Sequence, residues 1–112
     1  MPVCSVNFGR IAASNPELST ELVRLLLQVG ERDLADKVPC LHIVDRCRCE
    51  DEFCGSFYTA PKPSGSYGPG HRNVGLSPDK GMLILDVVNE EIHHVEVLDR
   101  DEILAALRSA IP

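Results

Sequence analysis

The stretch that most constrains this chain is residues 82–98: M-L-I-L-D-V-V, then N-E-E, then I-H-H-V-E-V-L. Two runs rich in branched aliphatic side chains stand on either side of a polar spacer too short to do anything but turn the chain back. An antiparallel hairpin is the expected result. Period-two alternation puts Leu83, Leu85 and Val87 on one face with Val95 and Val97, and leaves Met82, Ile84 and Asp86 on the other. By the same rule the adjacent His93 and His94 face opposite sides. The sheet therefore has one apolar face, which other elements must cover.

The cover is legible at both ends of the chain. Asn15 is a good cap, Pro16 fits a first helical position and Glu17 complements the positive end of the helix dipole. Leu18, Leu22, Leu25 and Val29 then form a stripe widened by Val23 and Leu26, and Gly30 stops it. Residues 31–38 read as a second short helix with Leu34, Ala35 and Val38 inward, ended by Pro39. A last helix follows Asp99-Arg100-Asp101-Glu102, an acid-x-x-Glu pattern of the capping-box form, with Ile103, Leu104, Leu107 and Ile111 on one side. Between them, residues 40–49 and 53–60 read as strands joined by the acidic turn Glu50-Asp51-Glu52, and residues 71–76 as a further strand. Cys4, Val6 and Phe8 alternate and suit an edge strand. The expectation is one α+β domain over residues 1–112: an antiparallel β meander of four or five strands with N-terminal and C-terminal helices packed on one face. A chain of 112 residues is long enough to bury such a core.

Chemistry concentrates in residues 40–54, C-L-H-I-V-D-R-C-R-C-E-D-E-F-C, which hold four of the five cysteines. If Cys49 and Cys54 close the hairpin, alternation puts Cys47 on their face, and three sulfurs converge. Zinc takes four ligands in a tetrahedron, and His71 or His42 is the candidate for the fourth beside Cys47, Cys49 and Cys54. The same pairing allows a disulfide between Cys49 and Cys54. A third reading is a reactive thiol tuned by Arg46 and Arg48 against the opposing acidic turn. The plainest is that cysteine serves as a small apolar residue, the role expected of Cys4 and Cys40.

Residues 61–70, P-K-P-S-G-S-Y-G-P-G, cannot run as helix or strand and form a loop. Tyr67, His71 and Arg72 beside it are candidate binding residues, with Asn73 next to them. His94 shares a strand face with Glu96, an acid–base pair if set in a cleft.

With 17 acidic against 11 basic side chains and a net charge of −6, the chain repels phosphate backbones, so no nucleic-acid partner is expected, while a basic protein partner suits the charge. Apolar runs are too short to span a membrane. An odd cysteine count and a start without a basic-then-apolar leader point to a reducing, cytoplasmic compartment, and the chain reads as a small bacterial protein. The functional expectation is a non-enzymatic binding or interaction module with zinc in the cysteine hairpin. The alternatives are a thiol-based redox sensor or enzyme using Cys49 and Cys54, and an acidic inhibitor or immunity-type protein for a basic partner.

Overall fold

A computed structural model describes residues 10–49 and 51–112 of the chain. The edge strand expected from Cys4, Val6 and Phe8 lies outside the described residues. In chain order the elements are α1 (Ile11–Ser14), α2 (Pro16–Gln28), α3 (Arg32–Lys37), a 3-10 turn (Val38–Cys40), β1 (Asp45–Arg46), β2 (Phe57–Tyr58), β3 (His71–Leu76), β4 (Met82–Val88), β5 (Glu91–Leu98) and α4 (Asp101–Ala110). The strands form one five-stranded antiparallel sheet in the order β1-β2-β5-β4-β3. This is the expected α+β architecture, with the expected meander corrected in one place: β2 pairs with β5, not β3, which lies at the far edge.

Local chemistry explains most of the boundaries. Asn15 Oδ1 accepts the Leu18 amide at 3.2 Å, and Pro16 occupies the first position of α2. Gly30, at φ +80°, supplies the left-handed residue that ends the run. The stripe predicts a buried Val29, but α2 stops at Gln28 and Val29 is 47% exposed. The capping box at Asp99 and Glu102 also fails to form. Asp99 lies outside the helix at φ 60°, and Arg100 takes the cap position without a side-chain capping bond. Arg100 instead reaches back to α2, where its guanidinium pairs with both Glu21 oxygens at 2.7 and 2.9 Å. The helical cover is thereby pinned to the end of the sheet.

One row of the register shows the core. Phe57 of β2 faces Val95, Val95 faces Leu85, and Leu85 faces Val74. All four are buried, and they pack in one cluster with Leu18, Leu22, Leu25 and Leu26 of α2, Leu34 of α3, and Ile103 and Leu107 of α4. Among the described residues, the helices of this cluster pack on that face of the sheet alone.

Strict alternation breaks once. Asn89 and Glu90, both with positive φ, make the two-residue β4–β5 turn, as a type I′ hairpin requires. From there Val88 faces Glu91 and Val87 faces Ile92, but Asp86 faces His94 rather than His93. The extra residue is a β-bulge. It lets Ile92 and Val95, three apart, both reach the core, and it turns His93 and His94 to the same, half-exposed side. The expectation that the two imidazoles face opposite ways is corrected by this insertion.

Candidate metal centre

The cysteine hairpin is shorter in ladder than the strands read over residues 40–49 and 53–60, yet its register is the expected one. Asp45 faces Tyr58, Arg46 faces Phe57, and the Cys47 amide extends the ladder by donating to the Ser56 carbonyl at 2.8 Å. Carried two residues further, that register sets Cys49 opposite Cys54. Beyond β2 the chain stays bonded on its other side: Gly55 donates to the Val97 carbonyl at 2.8 Å, and Cys54 bridges Leu98. The end of the hairpin is thus fixed to β5 while its tip turns through the 3.4 Å bond from Cys54 to the Asp51 carbonyl.

The sulfur atoms of Cys47, Cys49 and Cys54 all lie within 4.8 Å of one another, and all three residues are half-buried free thiols. The disulfide between Cys49 and Cys54 is therefore not formed. Cys40 belongs elsewhere: it is disulfide-bonded, not the plain apolar thiol expected of it. Cys4 lies outside the described residues.

Hydrogen bonding makes the three thiols unequal. Burial disfavours a charge on Cys54, but the Ser56 hydroxyl and amide, then the Cys49 and Cys47 thiols, bond to its thiolate, and its pKa is lowered. At Cys49 a bond from the Asp51 amide favours the thiolate; its bonds to Cys54 and Cys47 together with burial outweigh this, and the thiol is pushed up to about 11. Of the two, Cys54 is the thiol whose deprotonation its neighbours favour. Cys54 Sγ lies 3.4 Å from Ser56 Oγ, and Ser56 Oγ also accepts the Val97 amide at 2.8 Å. The serine is buried, and its hydroxyl also donates to the Val97 carbonyl at 3.4 Å, so β5 fixes the partner that Cys54 meets.

The arginines play a different part from the one read in the sequence. Arg46 Nε donates to the Ile111 carbonyl at 2.7 Å, and Arg48 donates to the Pro112 carbonyl at 3.0 Å and to Asp45 Oδ1 at 2.8 Å. They tie the chain end to the hairpin. The thiolate at Cys54 is favoured by Ser56 and the neighbouring thiols, and neither arginine is among the causes.

Neither histidine proposed as fourth ligand joins the three sulfurs. His42 sits in a bridge with Arg10. His71 lies on β3, at the opposite edge of the sheet from β1, with Nε2 2.8 Å from Asp86 Oδ1. Among the described residues, no other His, Cys, Asp or Glu completes the group.

The open face of the sheet carries a second polar arrangement. A row runs across all five strands: Asp45, Tyr58, His94, Asp86, Asn73. Asp86 accepts from Asn73 Nδ2 at 2.7 Å, His71 Nε2 at 2.8 Å and His94 Nδ1 at 3.0 Å. Burial raises its pKa, the three donors overcome this, and the net shift is downward, so the carboxylate is ionised and each imidazole donates to it. The ring nitrogens left over, Nδ1 of His71 and Nε2 of His94, are acceptors in the neutral imidazoles. Tyr58 packs tilted against His94 with ring centroids 4.5 Å apart, and Tyr67 tilted against His71 at 4.8 Å, with His93 edge-on to Tyr67 at 6.1 Å. Burial above all, with the negative Asp86, pushes the Tyr67 phenol up to about 12. His94 pairs with Asp86, not with Glu96 as strand alternation suggested.

Of the residues read as binding, Tyr67 and His71 thus meet on this face. Arg72 does not join them. Its guanidinium is held by both oxygens of Glu31 at 2.8 and 3.0 Å and by Glu90 at 3.2 and 2.8 Å, a clamp between β3, the β4–β5 turn and the start of α3. The sequence did contain a signal for the Asp86 centre, since Asp86 is the lone charge within β4. Among the described residues, no helix is long and apolar enough to cross a membrane. Comparison with family models, curated proteins and solved structures finds no match to this chain.

Proposed function

We propose that this protein is a small metal-binding module in which Cys47, Cys49 and Cys54 hold a thiophilic cation at the end of the β1–β2 hairpin. The observation that carries the reading is the convergence of three free sulfurs within 4.8 Å. Thiolates select soft or borderline ions, and zinc is the divalent ion that suits such a donor set without redox chemistry. Burying three thiols side by side disfavours a second and third negative charge, as the raised pKa of Cys49 reflects. A cation removes that penalty and ties the tip of the hairpin to its base. With three protein donors, zinc takes its fourth ligand from water or from a binding partner, which suits an interaction module.

A second reading is a thiol-based redox protein with Cys54 as nucleophile, favoured by the hydrogen bonds that hold its thiolate. The two separate in one titration of the free thiols. A zinc site protects Cys47, Cys49 and Cys54 together from alkylation at one equivalent of zinc, and a chelator exposes them together. Fast, selective alkylation of Cys54 at equal rates with and without zinc would reject the metal reading and favour the redox one.

A further inference from the structure

We propose that the same three cysteines form a complete site for a three-coordinate, trivalent thiophilic ion, with arsenic(III) as the ligand class, and that this ion displaces zinc. The inference rests on the reading of Cys47, Cys49 and Cys54 as one ligand set, and goes beyond it in fixing the coordination number.

The number of donors decides. The described His, Cys, Asp and Glu side chains add no fourth atom to the three sulfurs. Nearby groups are engaged elsewhere: His71 with Asp86, His42 in a bridge with Arg10, and Asp45 with Arg48 at 2.8 Å and the Arg46 amide at 2.8 Å. A tetrahedral cation must therefore complete its shell from outside the triad. Trivalent arsenic binds three thiolates as a pyramid, with its lone pair in the fourth direction, so the triad satisfies it fully.

Charge points the same way. Three thiolates around a divalent ion leave one net negative charge in a chain of net charge −6. Three thiolates around a trivalent centre are neutral. The scaffold also suits a preformed triangle. The Cys47 amide is bonded to Ser56, Cys54 is bridged to Leu98, and the chain between is short. The three sulfurs are half-buried, which leaves them open to a small neutral reactant such as arsenous acid.

The reaction is ligand exchange without oxidation or reduction. Three As–O bonds of As(OH)3 are replaced by three As–S bonds, each thiol proton leaves with a hydroxide, and three waters form. From the zinc form, three protons from solvent take the place of the thiol protons and the zinc ion is released.

The test is titration of the full chain with sodium arsenite, with the Cys40 disulfide left intact and without added thiol. Readouts are the ultraviolet sulfur-to-arsenic band, the remaining free thiols and the mass of the intact adduct. One arsenic per chain, consuming three thiols, is expected, with one equivalent of zinc released from zinc-loaded protein. C47S, C49S and C54S should each weaken binding by about a hundredfold or more, with circular dichroism confirming that each variant is folded. An adduct that consumes only two thiols, or a single-serine variant that binds as tightly as the natural chain, would overturn the proposal. Arsenite binding through three thiols without any zinc binding would sustain the three-coordinate site but overturn the displacement of zinc and the zinc reading with it. Zinc binding through three thiols without arsenite binding would do the reverse.

Discussion

Truncating Leu85 to alanine tests the packing of the sheet most sharply, because Leu85 stands at the centre of the core row with no exposed surface. It faces Val95 on β5 and Val74 on β3, both buried. The substitution removes three carbon atoms, which at about 0.8 kcal/mol per buried methylene amounts to roughly 2.4 kcal/mol of lost transfer free energy. Leu85 is hemmed by strands on both sides, so the site collapses poorly, and the residual cavity adds about 24 cal/mol for each Å³ that stays empty. The expected loss is about 3 to 4 kcal/mol, within the range for buried leucines. Met82, on the same strand but 45% exposed on the open face, should lose less than about 1 kcal/mol on the same change. Urea unfolding followed by circular dichroism reads both. With a slope of about 1.5 kcal/mol/M, L85A should shift the midpoint by roughly 2 M and M82A by well under 1 M. Equal shifts would mean that both faces of the sheet are covered, and the one-sided packing described above would be wrong.

Asp86→Asn should cost about 1 to 3 kcal/mol at neutral pH by weakening acceptance from Asn73, His71 and His94. Because the folded state lowers the Asp86 pKa, its stabilisation is complete above the unfolded value of about 3.9 and fades as the pH falls through the folded value. The gap in urea midpoint between the natural chain and D86N should therefore narrow below about pH 4; a gap that stays constant there refutes the linkage. Gly81→Ala should destabilise by at least about 1 to 2 kcal/mol, since Gly81 sits at φ +72° and a Cβ would collide with the Leu98 carbonyl and the Arg100 side chain. A thermal midpoint unchanged by G81A would contradict that geometry. In metal-free protein, iodoacetamide should modify Cys54 before Cys49, as peptide mass mapping reads, because Ser56 favours the Cys54 thiolate while Cys49 is pushed up to about 11. The reverse order would show that the charge sits elsewhere in the triad.

Much of this could be read from the chain itself. His71–Leu76 and Met82–Val88 are strands over the residues expected, because alternation and flanking turn residues agree there. The convergence of Cys47, Cys49 and Cys54 followed from counting outward from a short acidic turn. What was hidden depends on contacts between distant segments. The bulge opposite Asp86 answers to the need of both Ile92 and Val95 to reach the core, which no local pattern states. Arg72 resembled a binding residue because it follows a glycine-rich loop, but Glu31, 41 positions away, captures it. Arg46 and Arg48 looked like tuning charges for the thiols until the chain end at Ile111 and Pro112 came to meet them. Asp99 and Glu102 have the letters of a capping box, yet Arg100 between them is drawn to Glu21 on another helix.

The most direct measurement of the central claim is elemental analysis of the full chain purified without chelator, compared with C47S, C49S and C54S prepared in the same way. The account predicts about one zinc per chain in the natural protein and a loss of most of it in each variant, with the folded signal retained. A natural protein free of metal that also fails to take up zinc when its three thiols are reduced would contradict it.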